Sequence, residues 1–175
     1  MEGFDAAIGG GVELTSGIVA RELARAHVIA VASPAYLARA GKPRTPADLR
    51  THDGILMRSH VSGRLRSFAL RNRAGDEATV EMQPRVILTE PEAITRAAQM
   101  DLGVGLVAVP HALPHLKSGA LKRVLLDWHA DAGPISLYFP ALKLMPAKTR
   151  VFVDFVVTEF RRLGLAKRFL AASAV

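Results

Sequence analysis

Apolar residues in this chain gather in short runs separated by turn formers, and one run sets the frame for the others. Val28 to Ala32 consists of small and β-branched apolar residues bounded by polar ones, the pattern of a strand buried on both faces. Ser33-Pro34 ends it, because serine is a good cap and proline is pre-set for a first helical position, so a helix over Pro34 to Ala40 is predicted, closed by Gly41. Thr45-Pro46 before Ala47-Asp48-Leu49-Arg50 opens one further helical turn with Thr45 as cap. The stretch His27 to Leu49 therefore reads as a crossing between layers or lobes.

The remaining pattern alternates strands and helices. Phe4 to Ile8 is a short apolar strand halted by Gly9-Gly10-Gly11, and Leu14 to Leu23 is a linker with a short strand at Gly17 to Ala20. His52-Asp53-Gly54 is a turn before the strand Ile55 to Met57, and Arg66–Asn72 with Ala78–Met82 alternate around Ala74-Gly75-Asp76 as a hairpin. Val86 to Leu88 is a buried strand. Thr89 caps a helix from Glu90 or Pro91 to Met100, with Glu92 completing a capping box and Ala93, Ile94, Ala97, Ala98 and Met100 facing inward. Val104 to Val109 is the next strand, which makes a βαβ unit with a right-handed crossover.

Pro110 opens a short helix ended near Gly119, and Leu121 to Leu125 forms a strand. Trp128 is a packing anchor, Ala132-Gly133-Pro134 a linker, and Ile135 to Phe139 a strand that Pro140 terminates. The longest helix runs from Pro146 to Leu163, with Val151, Phe152, Phe155, Val156 and Phe160 on its inner stripe. The Ala-rich tail to Val175 either extends this helix or packs on a partner. The class is α/β.

Composition narrows the function. With 175 residues, 50% of them hydrophobic, the chain can bury a core as one domain or two small lobes. It has no cysteine, which excludes disulfides, thiolate catalysis and cysteine metal sites. No apolar run approaches the roughly 20 residues of a membrane span, and Met1 to Asp5 has no signal-like character, so the cytoplasm is the expected compartment. A formal charge of +7 invites a nucleic-acid reading, but the basic residues are scattered from Arg21 to Arg168 and aromatics are few.

Chemical motifs are sparse. The three glycines from Gly9 fit neither GxGxxG nor GxxxxGK[ST], and no GxSxG, SxxK or HExxH occurs. His111 and His115 stand one turn apart, a zinc spacing, but Pro114 intrudes between them, and neither metal nor cofactor is expected. No catalytic set can be nominated, and no helix-turn-helix pattern is present.

Several segments, taken in order, resemble the effector-binding domain of LysR-type transcriptional regulators. They are Phe4-Asp5-Ala6-Ala7-Ile8 with the following glycines, Val31-Ala32-Ser33-Pro34-Ala35-Tyr36-Leu37, the Thr45 to Leu49 turn, and Gly103 to Pro110. Ser118 to Leu121, Leu126-Asp127-Trp128 and Leu144 to Phe155 complete the series. The resemblance implies a two-lobed domain like type II periplasmic binding proteins, with crossover strands between the lobes and a small molecule in the cleft. Residues 1–32 and 136–175 would form the first lobe, 33–135 the second. The strand at Phe4 needs neighbours on both sides, so the first lobe is expected to be incomplete, with upstream sequence, including the DNA-binding helix-turn-helix, missing.

By this resemblance the cleft would be lined by the carboxyl ends of strands, namely Gly9, Gly10, Ser33, Arg58, Ser59, Thr89, Glu90 and Tyr138, with Arg58 the anion partner. Gly9 stands where relatives often carry arginine, a departure from an arginine-clamped carboxylate. The implied function is effector sensing and homo-oligomerisation without catalysis, with DNA bound only through the missing segment and no membrane contact. Alternatives are a solute-binding receptor module and an inactive truncated gene product. The isolated chain is expected to be marginally stable, to associate, and to attract DNA only through salt-sensitive charge.

Overall fold

Two long strands organise the molecule, whose computed structural model describes residues 4–10, 16–60, 62–141 and 145–174. Strand β1 spans Ala7–Gly10 and β2 spans Ile18–Ala32, followed by helix α1 at Pro34–Ala40 and a 3-10 turn at Pro46–Thr51. Then come β3 (Asp53–Met57), the β4–β5 hairpin (Ala69–Arg71 and Glu77–Thr79), β6 (Gln83–Leu88), α2 (Pro91–Gln99), β7 (Val104–Ala108) and α3 (Val109–Lys117). Strands β8 (Lys122–Val124) and β9 (Ala130–Pro140) lead to α4 (Ala147–Arg162), α5 (Leu165–Arg168) and a last 3-10 turn at Ala171–Ser173.

The main sheet has the order β1-β9-β2-β7-β3-β6, with β8 also paired to β2. Strand β2 runs antiparallel to β9 from Ile18 to Val28, then passes between β7 and β8 from Val28 to Ala32. The five residues Val28 to Ala32 are all buried, as the apolar run predicts. Their side chains divide by parity, because successive strand residues face opposite ways. Ile29 and Val31 join Ile94 of α2 and Ala112 of α3 in one core, whereas Val28, Ala30 and Ala32 join Tyr36, Leu49 and Leu70 in another. A third, separate core at the other end of the sheet holds Leu137 and Phe139 of β9 against Val153 and Val156 of α4.

The βαβ expectation holds with one strand interposed. Strands β6 and β7 both run parallel to β3, which lies between them, and α2 crosses over it. The capping box at Thr89 does not form. Glu90 is the cap, with extended backbone, because a residue before proline is steered out of the helical region, and this leaves Glu92 one position too early to reach back. Met100 is exposed, and Thr95 takes the inward place instead.

Several boundaries differ from the sequence reading. β1 continues through Gly9 and Gly10, which pair with Ser136 and Ile135, and Gly11 lies outside the described residues. Within the expected linker at 14–23, the short strand at Gly17 to Ala20 is the start of β2, which runs on from Ile18, while 14–15 lie outside the described residues; Arg21, Glu22 and Arg25 are exposed, so no apolar run marks the continuation. Ala132-Gly133-Pro134 lies inside β9, where register shifts against β2 absorb the irregular residues. In α4 the inner stripe is Thr149, Val153, Val156 and Val157, while Val151, Phe152 and Phe155 face outward. The helix is apolar on two sides, so periodicity alone does not fix its rotation. The tail packs on this chain's own body, with Ala171 and Ala174 inside the core that holds Ile29 and Val31.

Candidate functional site

A cleft of about 260 Å³ opens between the β1–β9 edge of the sheet and the β7–α3 junction. One wall is backbone and small side chains, Gly9 and Gly10 of β1 with Gly133, Pro134 and Ile135 of β9. At Gly10 a methyl group would come within 3.2 Å of the Pro134 carbonyl, so the wall is already closely fitted. The opposite wall is the β7–α3 junction, Ala108, Pro110 and His111, together with Arg66. A narrower extension of about 70 Å³ shares Arg66, Ala108, His111 and Ala132 and reaches Met57, Phe68 and Pro91.

The chemistry of this cleft favours negative charge. Pro91 and Pro110 place the first turns of α2 and α3 on its lining, and helix N-termini present unpaired N–H groups and a partial positive charge. Arg66, an exposed residue, lines both spaces; its amide donates to the Met57 carbonyl at 2.7 Å and its guanidinium lies 5.6 Å from the Phe68 ring centroid. Among the described residues no carboxylate pairs with Arg66; its Nη1 donates weakly to Met57 Sδ at 4.0 Å, which leaves its other donors able to meet a ligand. His111 Nδ1 is 3.8 Å from Glu92 Oε2, beyond hydrogen-bond reach.

Of the residues nominated from sequence, Gly9 and Gly10 line this cleft. Arg58 turns into its own loop, where its guanidinium donates to the Gly63 carbonyl at 2.8 Å, and Ser59 Oγ accepts the Ser62 amide at 3.2 Å. Ser33 is buried at the start of α1, accepting the Tyr36 amide and donating to Asp101. Glu90 meets His60 Nε2 at 2.6 Å, with Thr89 just before it, and the neighbouring Pro91 is the one that touches the cleft. Tyr138 is buried in β9 opposite Ala7 and Ala20. His115 accepts from or donates to Gln99 at 2.8 Å, apart from His111, and the described residues hold no cluster of three metal-ligating side chains.

Arg66, Ala108 and His111 are the cleft residues that sequence reading passed over. Pro110-His111 did carry a signal, since a helix start directly after a buried parallel strand is where α/β sheets meet ligands. Arg66 carried none, being one basic residue among many at the start of a hairpin.

Comparison with known proteins yields one family. A family model described as the LysR substrate binding domain matches residues 1–161. An HTH-type transcriptional regulator of Xanthomonas campestris pv. campestris (strain 8004) is 30% identical over 145 residues, which cover 82% of this chain and 42% of that protein. The uncharacterized HTH-type transcriptional regulator YcaN of Escherichia coli (strain K12) is 30% identical over 163 residues, 90% of this chain and 51% of its own length. The chain thus spans about half the length of the curated relatives it matches. The regulatory domain of AphB in Vibrio vulnificus superposes with a TM-score of 0.72 at 26% identity, covering 89% of this chain and 75% of that one. The regulatory domain of CrgA from Neisseria meningitidis, a LysR-type transcriptional regulator, gives 0.74 at 24% identity with 89% and 75% covered, a likeness of fold.

Proposed function

Because the chain belongs to the LysR substrate-binding domain family, we propose that it is the effector-sensing module of a transcription regulator and takes a small anionic molecule in the cleft between Gly10 and Arg66. The single observation that carries this reading is an arginine without a carboxylate partner, set between two helix starts and facing a wall of glycine backbone. Such a site offers charge, oriented N–H donors and close approach, the combination that fixes a carboxylate or phosphate.

The lobes in this reading are residues 1–32 with 136–175, and 33–135, joined through β2 and β9. A ligand that bridges Gly9 and Gly10 on one side and Arg66 and His111 on the other favours the arrangement in which both walls touch it, and the shift passes along the two crossing strands. DNA contact belongs to a helix-turn-helix of the full regulator, as the names of the relatives suggest, and assembly into homo-oligomers conveys the change. No catalytic step is assigned. No helix among the described residues is long and apolar enough to cross a membrane, and the cytoplasm is the proposed compartment.

The test is a calorimetric screen of the chain against matched small carboxylates, phosphates and neutral analogues, repeated with Arg66→Ala. Binding of an anion that weakens at least about tenfold in Arg66→Ala supports the proposal, since that factor is roughly 1.4 kcal/mol, within the range of one charged hydrogen bond. Preference for the neutral analogues, or equal affinity in the variant, rejects it.

A further inference from the structure

The 3-10 turn at Ala171–Ser173 is held on β2 and β8 by reciprocal hydrogen bonds. The His27 amide donates to the Phe169 carbonyl at 3.0 Å, and the Ala171 amide donates back to His27 Nδ1 at 3.1 Å. The Ala171 carbonyl accepts from Arg123 of β8 at 2.5 Å. Residue 171 is therefore clamped at both its polar groups, and its methyl group is buried in the core with Ala174. The His27 ring also stacks on His129, with centroids 4.1 Å apart and planes 14° from parallel.

We propose that the His27–His129 stack is a proton-operated latch, which holds the C-terminal tail on the crossover strands while both rings are neutral and releases it when they take up protons. Two features of the geometry require neutrality. Nδ1 of His27 accepts the Ala171 N–H, so its lone pair must be free and its own proton must sit on Nε2; a second proton would set N–H against N–H. Two imidazolium rings stacked at this distance would repel each other, and they would do so beside a buried guanidinium.

The charged neighbours weigh the same way. From β8, Arg123 is buried and bonded to the carbonyls of Ala171, Leu126 and Trp128, so it cannot swing away. Arg73 and Asp127 line the recess of about 170 Å³ that the rings face, and α5 adds exposed Lys167 and Arg168. Arg25 lies two residues before His27 on β2. The opposing charge is Asp131, which favours protonation but is already bonded to Arg25 at 2.5 Å and to the Gly133 amide at 2.7 Å. Burial, reinforced by the neighbouring ring and Arg123, holds His27 below the ordinary imidazole value of 6.5; burial and Arg123 do the same for His129.

The sign follows. Release of the tail frees His27 Nδ1 and uncovers the recess that the rings line, relieving part of the burial that holds them down, so as the pH falls the released form binds more protons than the docked one. Docking is complete above neutrality and weakens as the medium acidifies through 6.5 towards the lowered values. The latch sits where β2 shifts register against β9 between Ala26 and His27, so its release acts on the strands that join the two ends of the sheet.

Amide hydrogen exchange of the full chain, corrected for the intrinsic pH dependence, tests the latch. Protection at Ala171 and Ala174 should fall about tenfold or more from roughly pH 7.5 to 5.5, since each proton taken up contributes up to tenfold per unit. Protection at Ile94 in α2 should hold. The double variant His27→Gln, His129→Phe keeps an acceptor and a flat ring without titratable nitrogen, and its tail protection should not change over the same range. Constant tail protection in the unaltered chain, or the same fall in the variant, overturns the proposal. Should the variant not fold, histidine ring resonances of the unaltered chain decide. Midpoints at or above 6.5, or tail amide shifts that do not follow the rings, overturn it; lower midpoints tracked by the tail sustain it.

Discussion

The hydroxyl of Ser33 donates to Asp101 Oδ1 at 2.5 Å while accepting the amide of Tyr36 at 3.0 Å. Asp101 has a left-handed backbone, φ 61, at the end of α2, and its carbonyl accepts from Arg39 of α1 at 3.0 Å. One serine thus caps α1 and ties it to the turn that leads into β7. Ser33→Ala should cost about 1–2 kcal/mol through loss of the cap and of the aspartate's donor. Urea unfolding measures this, with ligand affinity expected to stay the same; an affinity loss at unchanged stability would place Ser33 in the binding site instead.

Gly103 bears a harder constraint. Its φ is +152, and an added methyl group would lie 2.3 Å from the Asp53 carbonyl oxygen, at the point where β3 and β7 begin to pair. Gly119 also has a positive φ, 76, but open space around it. Gly103→Ala should therefore destabilise by roughly 3 kcal/mol or more, against about 1 kcal/mol for Gly119→Ala, which carries backbone strain alone. Similar unfolding midpoints for the two variants would contradict the close approach.

Ala132 lies on the lining shared by the cleft and its extension and is only half-buried. Ala132 also packs at the margin of the core that holds Val28 and Leu106, so Ala132→Leu adds bulk both to that margin and to the cleft. Its stability should fall by about 1 kcal/mol, the low end for added bulk at a half-buried position. Affinity for the anion identified by screening should drop at least about tenfold, roughly 1.4 kcal/mol, by titration calorimetry. Undiminished affinity would move the binding site elsewhere.

Acid sensitivity should appear at the 3-10 turn after α1. The Asp48 carboxylate accepts the backbone amides of Arg44 and Thr45 at 2.8 and 2.9 Å, and these bonds hold it below its ordinary value of 3.8. The unfolded chain takes the proton first as pH falls, so the contribution is whole above 3.8 and is lost through the lower folded value. Asp48→Asn removes that titration. The stability gap between the two proteins, measured by urea midpoints at several pH values, should narrow below 3.8; a gap independent of pH would show that the carboxylate's charge is immaterial.

Sequence carried the middle of the molecule well. Val28 to Ala32, the Ser33-Pro34 start and the parallel strands around α2 were legible because burial on both faces, capping chemistry and crossover length each leave a local mark. The first half of β2 was legible only as the short strand at Gly17 to Ala20; its continuation was not, since its exposed side chains are polar and its ladder partner is distant in sequence. Helix α4 was recognised, and Val156 and Phe160 of its expected stripe do pack inward, but Val151, Phe152 and Phe155 face out, because the helix is apolar on two sides. Of the residues nominated from sequence, Gly9 and Gly10 lie on the candidate cleft. Arg66 and His111 come together only through the sheet order, which no local pattern records.

The pairing of β2 with β9 bears on how the chain comes to be folded. As the chain leaves the ribosome, β2 emerges roughly a hundred residues before its partner. Strands β3, β6 and β7 and their helices are synthesised in that interval and can join the buried half of β2, Val28 to Ala32, before β9 exists. The half from Ile18 to His27 has to wait with its backbone donors and acceptors open. Its arginines and glutamate, which hid it from hydrophobic pattern reading, are the side chains suited to such a wait, because charge on an unpaired strand discourages pairing with a neighbouring nascent chain.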